Sequence, residues 1–194
     1  MLRGWLVSRS SSSSSLSSWP PSTPRARSPR PLPPPARFRR WSMPVEQHAE
    51  VRHIHATLEW RGSFASIQRV RGHAFTVDEP AKLGGGDAGP TPLEYVVGAY
   101  DACLQIVIEM LARELNMVIS GIAVESLASV DRRGLFGTAP VSPHFQRIET
   151  TITLRIDRGQ EHLERLKDQL YARCPMYNLI KDTGIAQELT WLTR

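Results

Sequence analysis

The chain has 194 residues, 24 of them basic and 19 acidic, for a net charge of +5, and that length suffices for one domain with a buried core. Eight arginines (3, 9, 25, 27, 30, 37, 39 and 40) and no acidic residue lie in residues 1–42, which leaves 16 basic against 19 acidic side chains, a net of −3, in residues 43–194. The positive charge therefore belongs to an N-terminal arm, and the body offers no electrostatic case for binding nucleic acid.

Residues 1–45 are rich in Ser, Pro and Arg ("SRSSSSSSLSSWPPSTPRARSPRPLPPPARFRR") and hold few large apolar side chains, so this arm is expected to be disordered. Three readings of it stand open. Its composition suits a mitochondrial or plastid transit peptide; translation could instead begin at Met43; or the arm is a basic tail. Its prolines resist the helix that a transit peptide forms. Two cysteines are too few for a disulfide scaffold or a structural zinc site. The expectation is a cytoplasmic, reducing compartment, or an organelle if the arm is a cleaved leader.

Residues 46–194 read as one folded domain. "VRHIHATLEW" (51–60) alternates as a strand does, and "FASIQRV" with "HAFTVDEP" (64–80) supplies one or two more. His53 and His55 share a face of the first strand, but nothing clearly joins them as a ligand, so they read as surface histidines. "AKLGGGDAGP" follows as a glycine loop. Gly84, Gly86 and Gly89 spell G-x-G-x-x-G, yet "DEPAKL" precedes the loop, Pro90 and Pro92 follow it, and Glu109 is the nearest acid at the expected distance, inside a helix. A flexible turn fits better than a dinucleotide site.

Thr91, Pro92 and Glu94 hold the positions of an N-cap, a first-turn proline and a capping-box acid, and open a helix that runs to about Asn116. That helix is apolar nearly all round, which demands neighbours on several sides. Asp101, Gln105 and Glu109 interrupt it, and no run of eighteen apolar residues marks a membrane span. Two strands follow, "IAVESLASVDRR" and "FQRIETTITLRID", split by the turn-rich "GLFGTAPVSP". "QEHLERLKDQLYARC" (160–174) is amphipathic, with Leu163, Leu166, Leu170 and Tyr171 as its stripe, and Cys174-Pro175 breaks it. "PMYNLIKDTG" makes a short helix and "AQELTWLTR" a last strand. The order βββ-α-ββ-αα-β defines an α+β domain. A central helix this apolar is hard to cover from one chain, so an intertwined homodimer is expected.

The cysteines carry the chemical question. Val96, Ala99, Tyr100, Val107 and Met110 fall within about 60° of Cys103 around the helix, an apolar setting in which burial alone makes a thiol inert. Cys174 stands at the N-cap of the short helix, where the backbone dipole favours a thiolate.

The segment "DEPAKLGGGDAGPTPLEYVVGAYDACL", followed 71 residues after Cys103 by "CPMYN", resembles the OsmC/Ohr family, that is, osmotically inducible protein C and the organic hydroperoxide resistance proteins. The likeness covers about residues 50–194 and lies nearest an OsmC-like branch. It implies a swapped α+β homodimer with two interfacial sites and thiol peroxidase chemistry without a metal or other cofactor. Cys103 corresponds to the peroxidatic cysteine, which becomes a sulfenic acid. Cys174 corresponds to the resolving cysteine, which condenses with it to a disulfide. An organic hydroperoxide is the implied substrate and a dithiol, of lipoyl type in the better-known members, the implied reductant. The peroxidase branches place a glutamate ten residues before the first cysteine, paired with an arginine that activates the thiolate. Here position 93 is leucine. Glu94 is nine residues before Cys103, about 180° round the helix, where a capping acid belongs. Arg61 and Arg71 are the candidates for the activating arginine.

Overall fold

The computed structural model describes residues 51–194; the arm of residues 1–45 and Met43 lie outside the described residues. Three strands come first: β1 (Ala56–Gly62), β2 (Ala65–Val70) and β3 (His73–Val77), an antiparallel meander in that order. Residues 51–55 precede β1 rather than forming part of it, so His53 and His55 do not share a strand face. The two turns of the meander need left-handed backbone, supplied by Gly62 (φ 101), Ser63 (φ 48) and Arg71 (φ 55).

The glycine segment is an ordered loop rather than a flexible turn, and the cause is Asp78. Its side chain is 1% exposed. Its Oδ1 accepts the Glu79 N–H at 2.8 Å, and its Oδ2 accepts those of Gly86 and Ala88 at 3.0 and 3.1 Å. Gly85 and Gly89 are required by space, since a Cβ would fall 1.8 Å from the Glu79 carbonyl oxygen and 2.5 Å from that of Thr76. These glycines let the backbone close on a carboxylate of its own chain.

Helix α1 spans Pro92–Glu114 and opens as its sequence dictates: the Thr91 N–H donates to Glu94 Oε2 (2.7 Å), and the Glu94 N–H donates to Thr91 Oγ1 (3.4 Å). The cap contributes about 1 kcal/mol. Asn116, with φ 55, ends the helix in the left-handed conformation common after a C-cap. By length and composition α1 could cross a membrane, which corrects the expectation that no segment qualifies. Its buried stripe of Tyr100, Leu104, Val107, Ile108 and Leu111 is instead committed to protein. Each of these aliphatic side chains contributes roughly 1.5–3 kcal/mol by leaving water.

The surface that α1 covers is the second sheet. Strands β4 (Val118–Val130) and β5 (Phe145–Arg158) are antiparallel, and β6 (Ala186–Thr193) runs parallel to β5. Alternation along β5 turns Ile148, Thr150, Ile152 and Leu154 into the core. A single-turn helix, α2 (Arg132–Leu135), stands in the linker between β4 and β5, where a turn alone was expected. Helices α3 (Leu163–Arg173) and α4 (Pro175–Asp182) complete the domain, with Leu166, Leu170 and Ile180 buried against the same core. The expected βββ-α-ββ-αα-β order is therefore present, with α2 added.

Much apolar surface stays open in the single chain. All of β1 except Gly62 is exposed, including Leu58 and Trp60. On α1, Val96, Ile106 (55% exposed) and Met110 (47% exposed) face outward. The meander meets α1 through Tyr95, which donates to the Thr76 carbonyl at 2.6 Å and lies against the Phe75 ring.

The N–H groups of Ala88, Glu79 and Gly86 hold the Asp78 carboxyl below its ordinary value of 3.8. The folded loop favours the ionised form, so its contribution is present above that value and is lost as pH falls through the lower folded one. Hydrogen exchange should show the Gly86 and Ala88 amides protected at neutral pH and unprotected only in acid below 3.8. Asp78→Ala, which removes both acceptor oxygens, should raise their exchange about 10-fold or more at neutral pH.

Candidate active site

Two elements bring the cysteines together. Cys103 lies on α1 at the edge of its buried stripe and is half-buried; Cys174, 0% exposed, is the hinge between α3 and α4. Their sulfurs are 3.6 Å apart, with the Cys174 thiol donating toward Cys103. Both are free thiols, and a disulfide needs an S–S distance of about 2.05 Å. A side-chain adjustment of about 1.5 Å thus separates contact from bond. The residues expected around Cys103 divide into two groups. Tyr100 and Val107 are buried, whereas Val96, Ala99 and Met110 are exposed, so one flank of the sulfur is core and the other is open.

Helix α3 ends where it does because of Pro175. Within a continuous helix the Tyr171 carbonyl would accept from the backbone nitrogen four residues on, but that nitrogen belongs to proline and carries no hydrogen. Asn178 takes its place: its Nδ2 donates to the Tyr171 carbonyl at 3.0 Å and to the Cys174 carbonyl at 2.9 Å. The spacing of "CPMYN" is therefore the geometry of a broken helix whose orphan acceptor is satisfied by a side chain three residues past the proline. Arg173 adds a second tie, donating to both carboxylate oxygens of Glu114 at 2.6 and 2.8 Å and joining the end of α3 to the end of α1.

Cys174 does hold the N-cap of α4, with extended backbone (φ −74, ψ 116). The expectation that this place makes it a thiolate is not met. Burial pushes the thiol up to about 11, and the sulfur of Cys103 acts in the same direction; the N–H groups of Tyr177 and Met176 pull it down by less. Removing a charge from water costs more than the 0.3–1 kcal/mol or so that a helix terminus returns. Cys174 keeps its proton at neutral pH.

The other candidate residues stand apart from the sulfurs in the single chain. Glu94 is engaged in the α1 cap, and Leu93 is partly exposed one residue earlier. Arg61 pairs with Glu59 at 3.0 Å on exposed β1, and Arg71 is exposed in the β2–β3 turn. Among the described residues no three His, Cys, Asp or Glu side chains are grouped to hold a metal ion. Residues that the sequence alone did not single out are Asn178, named only as part of a motif, and a partly buried polar group around Tyr100. Tyr100 donates to Gln187 Oε1 at 3.0 Å, and Ser126 lies 2.8 Å from Thr150 and 2.5 Å from Asp101. Only the proline three residues before Asn178 signalled the first; the second joins positions far apart in the chain.

A pair of reduced thiols in van der Waals contact, one on a core helix and one at a proline break, defines a two-cysteine α+β protein. The family model for OsmC-like proteins matches residues 84–189, more than half of the chain and both cysteines, and the protein belongs to that family. Solved structures agree in fold. An OsmC-like protein from Mycoplasma pneumoniae superposes with a TM-score of 0.61 at 14% identity, covering 74% of this chain and 96% of that one. An organic hydroperoxide resistance protein OsmC from Legionella pneumophila gives 0.52 at 17% identity, covering 74% and 97%. One from Elizabethkingia anophelis, with thiocyanate bound, gives 0.55 at 17% identity, covering 76% and 100%. No curated protein matches the sequence.

Replacing Asn178 with leucine should leave the half-buried Tyr171 carbonyl without its side-chain donor. The expected cost is about 1 kcal/mol, the net worth of one such hydrogen bond. Urea unfolding of the reduced protein measures it. Asn178→Asp, which offers only acceptors to that carbonyl, should be at least as damaging.

Proposed function

We propose that the protein is a thiol peroxidase that reduces organic hydroperoxides, with Cys103 attacking and Cys174 resolving. The observation that carries this is the 3.6 Å sulfur separation between a half-open and a fully buried thiol. The Cys103 sulfur, as thiolate, takes the distal oxygen of the hydroperoxide. The O–O bond breaks, the alkoxide leaves and is protonated by water, and Cys103 becomes a sulfenic acid. The Cys174 sulfur then attacks the Cys103 sulfur. The S–O bond breaks, and hydroxide leaves with the Cys174 proton as water. A dithiol reduces the disulfide by exchange and is itself oxidised. The exposed apolar neighbours Val96, Ala99 and Met110 favour an organic over an inorganic peroxide.

The working unit in this reading is a homodimer. Val96, Ile106 and Met110 form an outward apolar stripe on α1, and the β1–β3 meander exposes Leu58 and Trp60. A second copy would bury both, and through its own meander would carry Arg61 or Arg71 toward the opposite Cys103 as the activating cation. A second reading, a redox-sensing or apolar-ligand-binding protein without efficient turnover, is favoured by one observation. The acid nearest the family's glutamate position, Glu94, is spent on the helix cap.

The peroxidase reading predicts consumption of cumene hydroperoxide with a lipoyl dithiol and loss of at least about 1,000-fold in rate for Cys103→Ser, which removes the nucleophile. Cys174→Ser should stop after one oxidation, with the sulfenic acid trapped by dimedone. Retained turnover in Cys103→Ser sinks it, and slow oxidation of Cys103 without turnover in the native protein supports the second reading. For the dimer, sedimentation should give twice the chain mass, and Met110→Glu should shift the protein toward the monomer.

A further inference from the structure

Behind the sulfur pair runs a string of polar groups, buried at Tyr100 and Thr150 and half-buried at Asp101, Ser126 and Gln187. The Tyr100 phenol, 0% exposed, donates to Gln187 Oε1 at 3.0 Å, and Gln187 Nε2 donates to the Tyr177 carbonyl at 3.3 Å. Tyr177 lies in the first turn of α4, three residues on from Cys174. On the other side of the phenol stands the Thr150 hydroxyl. Thr150 and Ser126, cross-strand partners on β5 and β4, are 2.8 Å apart, and Ser126 donates to Asp101 at 2.5 Å. The string thus begins on α1, two residues from Cys103, crosses all three strands of the sheet, and ends on the helix that Cys174 caps.

Stability alone does not ask for this. Ile148, Ile152 and Leu154 fill the same face of β5, and polar groups in such a core cost free energy unless each finds a partner. A fully paired network does something apolar packing does not: it admits one relative placement of the elements it joins. Burial raises the Tyr100 phenol well above its ordinary value, so it stays a donor to Gln187 at any physiological pH. Gln187 is the link that touches α4.

We propose that Tyr100 and Gln187 are positioning residues for disulfide closure, holding the first turn of α4, and with it Cys174, in reach of Cys103. This rests on the reading of Cys174 as the resolving thiol. It can be tested without any peroxide.

Dithiodipyridine reacts with the reduced protein in two steps. The Cys103 sulfur attacks the probe, its S–S bond breaks, and one pyridinethione leaves. The Cys174 sulfur then attacks the Cys103 sulfur, the mixed disulfide breaks, and a second pyridinethione leaves with the Cys174 proton. Each release is seen by absorbance. In Tyr100→Phe, and more so in Gln187→Leu, the second phase should slow about 10-fold or more, because small misplacements of reacting atoms are costly. The first phase should stay within about twofold, since Cys103 on α1 does not depend on α4 for exposure. Ile148→Val, a modest truncation in the same core, should leave both phases unchanged.

A second phase at the native rate in both variants overturns the proposal. So does an equal slowing in Ile148→Val, which would make the string merely structural. Native protein that shows both phases yet leaves hydroperoxide intact sinks the peroxidase reading and leaves the positioning role standing.

Discussion

The site depends on a hydrogen atom that Pro175 does not have. Without it the Tyr171 carbonyl loses its helical donor, α3 must end, and the chain turns at Cys174 into a second helix. Asn178 makes that break affordable by donating to both the Tyr171 and the Cys174 carbonyls. The turn points the Cys174 side chain inward, and Leu166, Leu170 and Ile180 fix the two helices on the core that also holds α1. Sulfur proximity follows from backbone hydrogen bonding at one residue and aliphatic burial around it.

Two opposing effects then divide the thiols. A helix N-terminus favours a thiolate and burial disfavours one; at Cys174 burial prevails and the thiol is pushed up to about 11. The deep sulfur is therefore a proton-bearing partner, and the one on the helix edge meets whatever arrives from solvent. The order of events proposed above, attack by Cys103 and closure by Cys174, needs this asymmetry. A pair of equally exposed thiols would have no reason to act in sequence.

Features set by local pattern were legible in the sequence: the α1 start from Thr91, Pro92 and Glu94, the break at Cys174-Pro175, and the strands of the second sheet from their alternation. Features set by distant partners were not. The glycine loop read as flexible because the carboxylate that organises it, Asp78, sits outside the loop and gives no periodic signal. Tyr100 and Gln187 are 87 residues apart, and each looks like an ordinary helix or strand position until the fold joins them. At Cys174 the position was legible and its consequence was not. Sequence places a residue at an N-cap, but only packing decides how much water it loses. Residues 51–55 alternate like a strand and still lie outside β1, which begins at Ala56, where pairing with Val70 starts.

Glu94 shows why a site residue has to be argued from its hydrogen bonds. A carboxylate in a capping box accepts from the Thr91 N–H and faces the start of its own helix, so it does not also orient a cation beside Cys103 nine residues on. Whatever stabilises a Cys103 thiolate must then come from outside α1. The two arginines considered for that role both lie on the meander, whose contact with α1 in the single chain is made at Tyr95, well before the cysteine. Under the proposed dimer the difficulty resolves. The surface that α1 leaves uncovered runs alongside Cys103, and a meander from a second copy placed on it would bring an arginine to the open flank of that sulfur. Covering the apolar stripe and completing the site would then be one event.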